Sequence, residues 1–184
     1  YPVYAAKYRI LAPDLIGWGK SVHPVRDYQI EDYLTTIIEF INQTCHQSVT
    51  VIASSLTAAF AIRLAINYPH LFKALFLVCP AGFNDFGQTA GRRLPLSLLN
   101  TPLVDNLIYA LGAENEIAVR NFLQSFLFAK PERVTQEMVS AYLTSAQQYN
   151  AKLAALSFLR GNLYFEDRKS TRLNSSHANI SYAV

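Results

Sequence analysis

The sequence predicts an α/β protein in which a parallel sheet is flanked by helices. Residues 49–52 form a short β-branched apolar run, which is typical of a buried strand. Residues 56–68 are rich in alanine and apolar on nearly every side, as in a helix packed against a sheet, and Pro69 ends this pattern. Residues 74–78 predict a second buried strand. Strands that alternate with helices in this way favour a parallel sheet.

Two serines, Ser54 and Ser55, lie between the first predicted strand and its helix. A strand, a sharp turn carrying serine and a buried helix form the context of a nucleophile elbow, usually spelled G-x-S-x-G. Small flanking residues are needed because the backbones approach closely at such a turn. Here Ala53 is a mild departure, and the β-branched Thr57 is a larger one. We therefore predict Ser55 as the nucleophile, with Ser54 as the fallback.

The N-terminus of the predicted helix lies directly behind Ser55. A helix N-terminus carries a partial positive charge and backbone N–H groups without partners in the helix. The N–H of Leu56 is one of these groups, and it would face a negative charge that develops on oxygen during a reaction at Ser55.

Composition excludes several classes of protein. The chain has 184 residues, of which 51% are hydrophobic, and this suits one domain with a substantial core. No apolar run has the length of a membrane span and no signal-peptide pattern opens the chain, so we expect a cytoplasmic protein. Cys45 and Cys79 fit no metal spacing and are expected to be buried free thiols. No metal, cofactor or nucleic-acid partner is therefore expected, and the oligomeric state stays open.

The last residues, 167–184, resemble an in-frame translation of a sequencing adapter. The alternative is a genuine polar, disordered C-terminus. Segments added during cloning or sequencing are excluded from fold reasoning. Without the three basic residues and the one acidic residue of this tail, the net charge falls from +3 to +1. A net charge of this size therefore indicates neither a nucleic-acid nor a membrane partner.

Before the elbow, the sequence predicts a strand at 8–12 and a loop at 13–21. Asp14 in this loop is expected to brace it rather than to act as a catalytic acid. Asp27 is a plausible N-cap for an amphipathic helix, because apolar residues then recur at helical spacing from Ile30 to Ile41. This helix would lay one face on the sheet.

After residue 83 the pattern changes to a polar loop at 84–94 and then to helices without strands. One helical stripe comprises Val119, Phe122, Leu123, Phe126 and Leu127. Thr135 is a candidate N-cap, and a shorter helix is expected from Ala151 to Leu159. An all-helical block after a strand–helix–strand unit is typical of a lid. We therefore expect a core at 1–83, a helical cap at 84–160, a return towards the core at 161–166 and a non-native tail at 167–184.

Three motifs in order resemble the α/β-hydrolase superfamily, and most closely its hydrolases with a helical cap. They are the APDLIGWGKS segment at 12–21, the elbow, and the YPHLFKALFLVCPAG segment at 68–82. The resemblance covers about residues 8–166. It implies a partial α/β-hydrolase fold, Ser55 as nucleophile, the Leu56 N–H as an oxyanion donor and a cap over the substrate pocket.

The family's triad runs from serine to an acid and then to a histidine. After Ser55 the only histidines are His70, which follows too soon, and His177, which lies in the tail. We therefore expect an internal fragment that is inactive by itself. Its parent is expected to be a serine hydrolase that cleaves an ester or a related small, apolar substrate. The alternative is a non-catalytic α/β-hydrolase-like ligand-binding protein, which Thr57 and the unseen triad partners favour.

Overall fold

The computed structural model describes residues 2–82 and 102–165. The loop predicted at 84–94 and the tail at 167–184 lie outside these ranges. The helices and strands are α1 (Pro2–Ala5), α2 (Ile30–Thr44), β1 (Val49–Ser54), α3 (Ser55–Asn67), β2 (Phe72–Val78), α4 (Pro102–Gly112), α5 (Glu116–Phe122), α6 (Gln136–Ala146) and α7 (Ala151–Leu159). Single turns of 3-10 helix occupy Pro69–Leu71 and Pro131–Arg133, and a π-turn occupies Leu123–Leu127.

The two described strands form a parallel pair, as the sequence predicts. Ser54 lies opposite Val78 in the ladder, and α3 makes the connection between the strands and packs against both. The strands are not buried on both faces, however, because Ile52 and Phe76 are 72% and 55% exposed. These two residues are partners in the ladder and point to the same side. Within the described residues, α3 covers one face of the sheet and the other face is open.

The core is built around aromatic rings beneath α3. Its buried members are Tyr28, Tyr33, Ala59, Phe60, Ala154, Leu163 and Phe165. The rings of Tyr33 and Phe60 stack with their centroids 5.3 Å apart. Burial raises the pKa of the Tyr33 phenol to about 12, although the N–H of the Trp18 indole donates to its oxygen at 2.9 Å. Because Ala154 belongs to α7, this helix packs directly into the core beside α3.

A second, smaller cluster lies among the helices between α4 and α7. Val119, Leu123, Val134 and Val139 are its buried members. Val119 and Leu123 belong to the stripe that the sequence predicts, whereas Phe122 and Leu127 of the same stripe are about half exposed. Thr135 caps α6 as predicted, accepting a hydrogen bond from the N–H of Met138 at 3.2 Å.

The N-terminal part of the chain differs from prediction in two places. Residues 8–12 form no strand, because a strand exists only as one side of a hydrogen-bonded ladder and no described strand pairs with them. The N-cap of α2 is Gln29 rather than Asp27, and the Asp32 carboxylate accepts from the Gln29 N–H at 2.9 Å. The expected role of Asp14 is confirmed, since its carboxylate accepts from the N–H of Lys20 across the loop.

Among residues 2–82 and 102–165, no helix has the length and apolar character needed to cross a membrane.

Arg160, directly after α7, links α4 to the residues that precede α2. Its guanidinium lies 2.5 Å from the Asp105 carboxylate in α4 and 3.3 Å from Asp27, which precedes α2. Asp105 is 6% exposed, whereas the Asp27 side chain is largely in solvent. The buried partner therefore dominates this cluster, because exposed ion pairs are screened by water.

Arg160→Met should destabilise the folded protein by about 3 kcal/mol, because it leaves the Asp105 carboxylate buried and without its counter-charge. Arg120→Met is the matched control, since Arg120 pairs with a half-exposed carboxylate, Glu116, at 3.6 Å. The control should cost less than about 1 kcal/mol. Urea unfolding of both variants measures the difference, and equal losses would contradict the role given to Asp105.

Candidate active site

The turn between β1 and α3 reverses the chain within one residue. Ser54 is extended, with φ of −129°, and Ser55 has φ of +51°. Serine in the left-handed region costs roughly 1–2 kcal/mol, so the surrounding structure must hold it there. The side chain of Ser55 is exposed. The strand, strained serine and helix of a nucleophile elbow are therefore present, and the strained residue is Ser55 rather than Ser54.

Thr57 occupies the position where the usual motif has glycine, and the fold accommodates it. Its hydroxyl donates to the Ser54 carbonyl at 2.7 Å and accepts from the Ser54 N–H at 3.3 Å. Ser54 and Thr57 thus form a capping box at the start of α3. The β-branched side chain turns back onto the strand end instead of colliding with it. Ser54 and Thr57 have the three-residue spacing of a capping box, so this interaction is local in the sequence.

Leu56 is the second residue of α3, so its N–H is among the first four, which have no partner within the helix. The side chain of Leu56 packs towards the core and lies under Gly82. A Cβ added at Gly82, where φ is +100°, would meet Leu56 Cδ1 at 2.8 Å. The loop after β2 is therefore closely packed on the first turn of α3.

The same loop is hydrogen-bonded to the elbow. The N–H of Ala81 donates to the Ser55 carbonyl at 3.1 Å, and the N–H of Phe165 donates to the Gly82 carbonyl at 2.8 Å. The ring of Tyr164 also faces Gly82, and burial raises the pKa of its phenol. The elbow, residues 81–82 and residues 164–165 thus meet beside the first turn of α3, and the sequence pattern does not predict this meeting.

Cys79 follows β2 directly, and the register of the strands places it beside the elbow. The prediction that both cysteines are buried is wrong, because Cys79 is exposed and Cys45 is only partly buried. Partly buried and exposed residues alternate along most of β2. Cys79 lies beyond the last ladder pair, which is Ser54 with Val78. Both cysteines are free thiols, as expected.

No described hydrogen bond joins the Ser55 hydroxyl to a histidine within residues 2–82 and 102–165. His70 lies in the 3-10 turn at the far end of α3, at the opposite end from Ser55. In the same part of the chain, no three His, Cys, Asp or Glu side chains lie close enough together to hold a metal ion. The described site therefore comprises a strained serine, a helix N-terminus and the loop that fixes them.

Residues 2–106 match the family model of the alpha/beta hydrolase fold. The chain is 29% identical over 118 residues to Lipase 1 of Psychrobacter immobilis, covering 63% of this chain and 35% of that protein. It is 30% identical over 96 residues to a haloalkane dehalogenase of Mycolicibacterium paratuberculosis, covering 51% of this chain and 30% of that protein.

Among solved structures, the epoxide hydrolase CorEH superposes with a TM-score of 0.69 at 19% sequence identity. The superposition covers 88% of this chain and 59% of that chain, and at this identity it bears on the fold alone. The chain spans about a third of the length of the curated relatives it matches. Because the family model covers more than half of the chain and the elbow has the expected geometry, the chain belongs to the α/β-hydrolase fold family.

Proposed function

We propose that the parent protein is a serine hydrolase that cleaves an ester or a related small, apolar substrate through an acyl-enzyme on Ser55. The observation that carries this proposal is the backbone of Ser55, which is held at φ of +51° between a strand and a helix N-terminus while its side chain stays exposed. Strain of this kind at an exposed polar residue is typical of functional sites. Family membership supports the same assignment.

The chemistry of serine distinguishes among the activities named for similar proteins. Attack of the Ser55 oxygen on an acyl carbon would expel an alcohol and form an ester, which water then cleaves to release the acid. Displacement of halide from a saturated carbon, or opening of an epoxide, would instead attach the serine oxygen through an ether. Water does not readily cleave an ether, so the enzyme would not turn over. Serine at the elbow therefore favours acyl transfer, as in a lipase.

The roles of the neighbouring groups follow from this reaction. The Leu56 N–H would donate to the oxyanion of the tetrahedral intermediate, with the N-terminus of α3 behind it. A histidine from the remainder of the protein would take the Ser55 proton and pass it to the leaving alcohol, and an acid would orient that histidine.

The domain organisation of the parent is part of the same proposal. Residues 84–160 would form a cap over the pocket and residues 1–83 part of the core. The leucine- and phenylalanine-rich helices of the cap support an apolar substrate. The tail at 167–184 would be non-native, and a cytoplasmic location stays a prediction.

Labelling with a fluorophosphonate tests the nucleophile directly. We expect the full-length protein to be labelled, the adduct to map to the peptide that contains Ser55, and Ser55→Ala to abolish it. Ser54→Ala is the matched control and should keep the label, because Ser54 lies in the strand and not at the strained position.

The alternative is a non-catalytic α/β-hydrolase-like binding protein. Its support is that no described histidine bonds Ser55; the argument from Thr57 is weakened by the capping bonds that this residue makes. A well-folded full-length protein that takes no label would reject the serine hydrolase and favour this alternative.

A further inference from the structure

The direction of the Ser55 side chain depends on the two peptide planes that flank it. Rotation about N–Cα, measured from the Ser54–Ser55 peptide, defines φ, and rotation about Cα–C, towards the Ser55–Leu56 peptide, defines ψ. A left-handed serine is at a local energetic disadvantage, so both planes need external restraints.

Each plane accepts a hydrogen bond from a residue that does not belong to it. The Thr57 hydroxyl donates to the Ser54 carbonyl at 2.7 Å and so holds the plane before Ser55. The Ala81 N–H donates to the Ser55 carbonyl at 3.1 Å and so holds the plane after it. The second plane also contains the Leu56 N–H. The first restraint comes from a side chain and can be removed by substitution, whereas the second comes from the backbone.

The Thr57 hydroxyl holds the strand end on both sides, because it also accepts from the Ser54 N–H at 3.3 Å. A glycine at this position makes neither bond. The threonine therefore supplies a restraint on the elbow that the usual glycine spelling lacks.

We propose that Thr57 is a positioning residue, whose hydroxyl fixes the Ser54–Ser55 peptide and thereby aims the Ser55 oxygen at the substrate. This inference rests on the proposed function, because it assigns Thr57 a role only through a nucleophilic Ser55. It differs from a role in helix capping alone, which predicts a loss of stability and unchanged chemistry in the folded protein.

The test compares Thr57→Val, which keeps the shape and removes the hydroxyl, with Thr57→Ser, which keeps the hydroxyl. Thr36→Val is the matched control, because the Thr36 hydroxyl donates to a helix carbonyl, that of Asp32, away from the elbow. The measurements are the rate constant of fluorophosphonate labelling at Ser55, and kcat and KM for a short-chain p-nitrophenyl ester. All use the full-length protein at a temperature where circular dichroism shows every variant to be folded.

We expect Thr57→Val to lower the labelling rate and kcat about tenfold with KM within about twofold, because misplacement of a reacting group slows the chemistry more than it weakens binding. Thr57→Ser and Thr36→Val should stay within about twofold of the original protein. If Thr57→Val does not fold, Thr57→Gly replaces it, since glycine also removes the hydroxyl and restores the usual small residue.

The outcomes separate the two proposals. A labelled original protein with unchanged rates in the hydroxyl-free variant overturns the role of Thr57 and leaves the serine hydrolase standing. A folded original protein without label overturns the proposed function, and the role of Thr57 with it. A loss in Thr57→Ser equal to that in the hydroxyl-free variant also overturns the inference, because the hydroxyl would then not be the cause.

Discussion

Ser55→Gly should abolish ester hydrolysis by the full-length protein and at the same time make the protein more stable. The loss of the nucleophile should lower kcat by at least about 10⁴-fold. Glycine adopts positive φ without the steric cost that serine pays, and the gain in the free energy of unfolding should be about 1 kcal/mol. Kinetic assays and urea unfolding of the same preparations measure both effects.

Ser55→Ala is the control that separates chemistry from backbone strain. It should lose as much activity as Ser55→Gly, yet gain no stability, because alanine retains the Cβ that makes φ of +51° unfavourable. Residual hydrolysis at the original rate in either variant would remove Ser55 from the mechanism. Equal stabilities of the two variants would mean that the elbow carries no strain.

Gly17→Ala should destabilise the protein by at least about 3 kcal/mol, through backbone strain together with overpacking. Gly17 has φ of +81°, and an added Cβ would lie 2.7 Å from the ring of Tyr28 and 2.8 Å from the Cβ of Ala154. Both neighbours are fully buried and therefore have little room to move. The glycine allows α7 to pack tightly against the core.

Gly161→Ala provides the matched control for this prediction. Its φ of +85° is nearly the same, but an added Cβ would meet no atom within 4 Å. It should therefore show only the backbone cost, roughly 1–2 kcal/mol. The difference between the two midpoints in urea, at equal m-values, measures the steric contact. Losses of the same size would show that the contact with Tyr28 and Ala154 relaxes freely.

Elements whose signals are local in the chain were predictable. The strand–turn–helix around Ser55, the second strand ending at Val78 and the helix Ala151–Leu159 follow from runs of apolar residues and from proline breaks. The Thr135 cap is equally local, because it joins a hydroxyl to an N–H three residues away. In these cases the residues that interact are neighbours in the sequence.

Features that depend on residues distant in the sequence were predicted wrongly or were not predicted. The sequence predicts a strand at 8–12, but these residues have no described ladder partner. It also predicts a buried Ile52, which is 72% exposed among the described residues. The ion pair of Arg160 with Asp105 was not predicted for the same reason, because it joins residues 55 positions apart. The residues of a segment show which element it can form, whereas the partner that stabilises this element lies elsewhere in the chain.

The features of the candidate site also fall into those that are local in the sequence and those that depend on distant residues. The sequence by itself determined that a serine would lie between a strand and a helix N-terminus, because the apolar pattern and the residue sizes specify both elements. The sequence also favoured Ser55 over Ser54, but only the tertiary structure showed the positive φ of Ser55 and the hydrogen bonds by which Thr57 braces the turn. The physical reason is that φ at the elbow depends on how two peptide planes are held, and one of them is held by Ala81, 26 residues further along the chain.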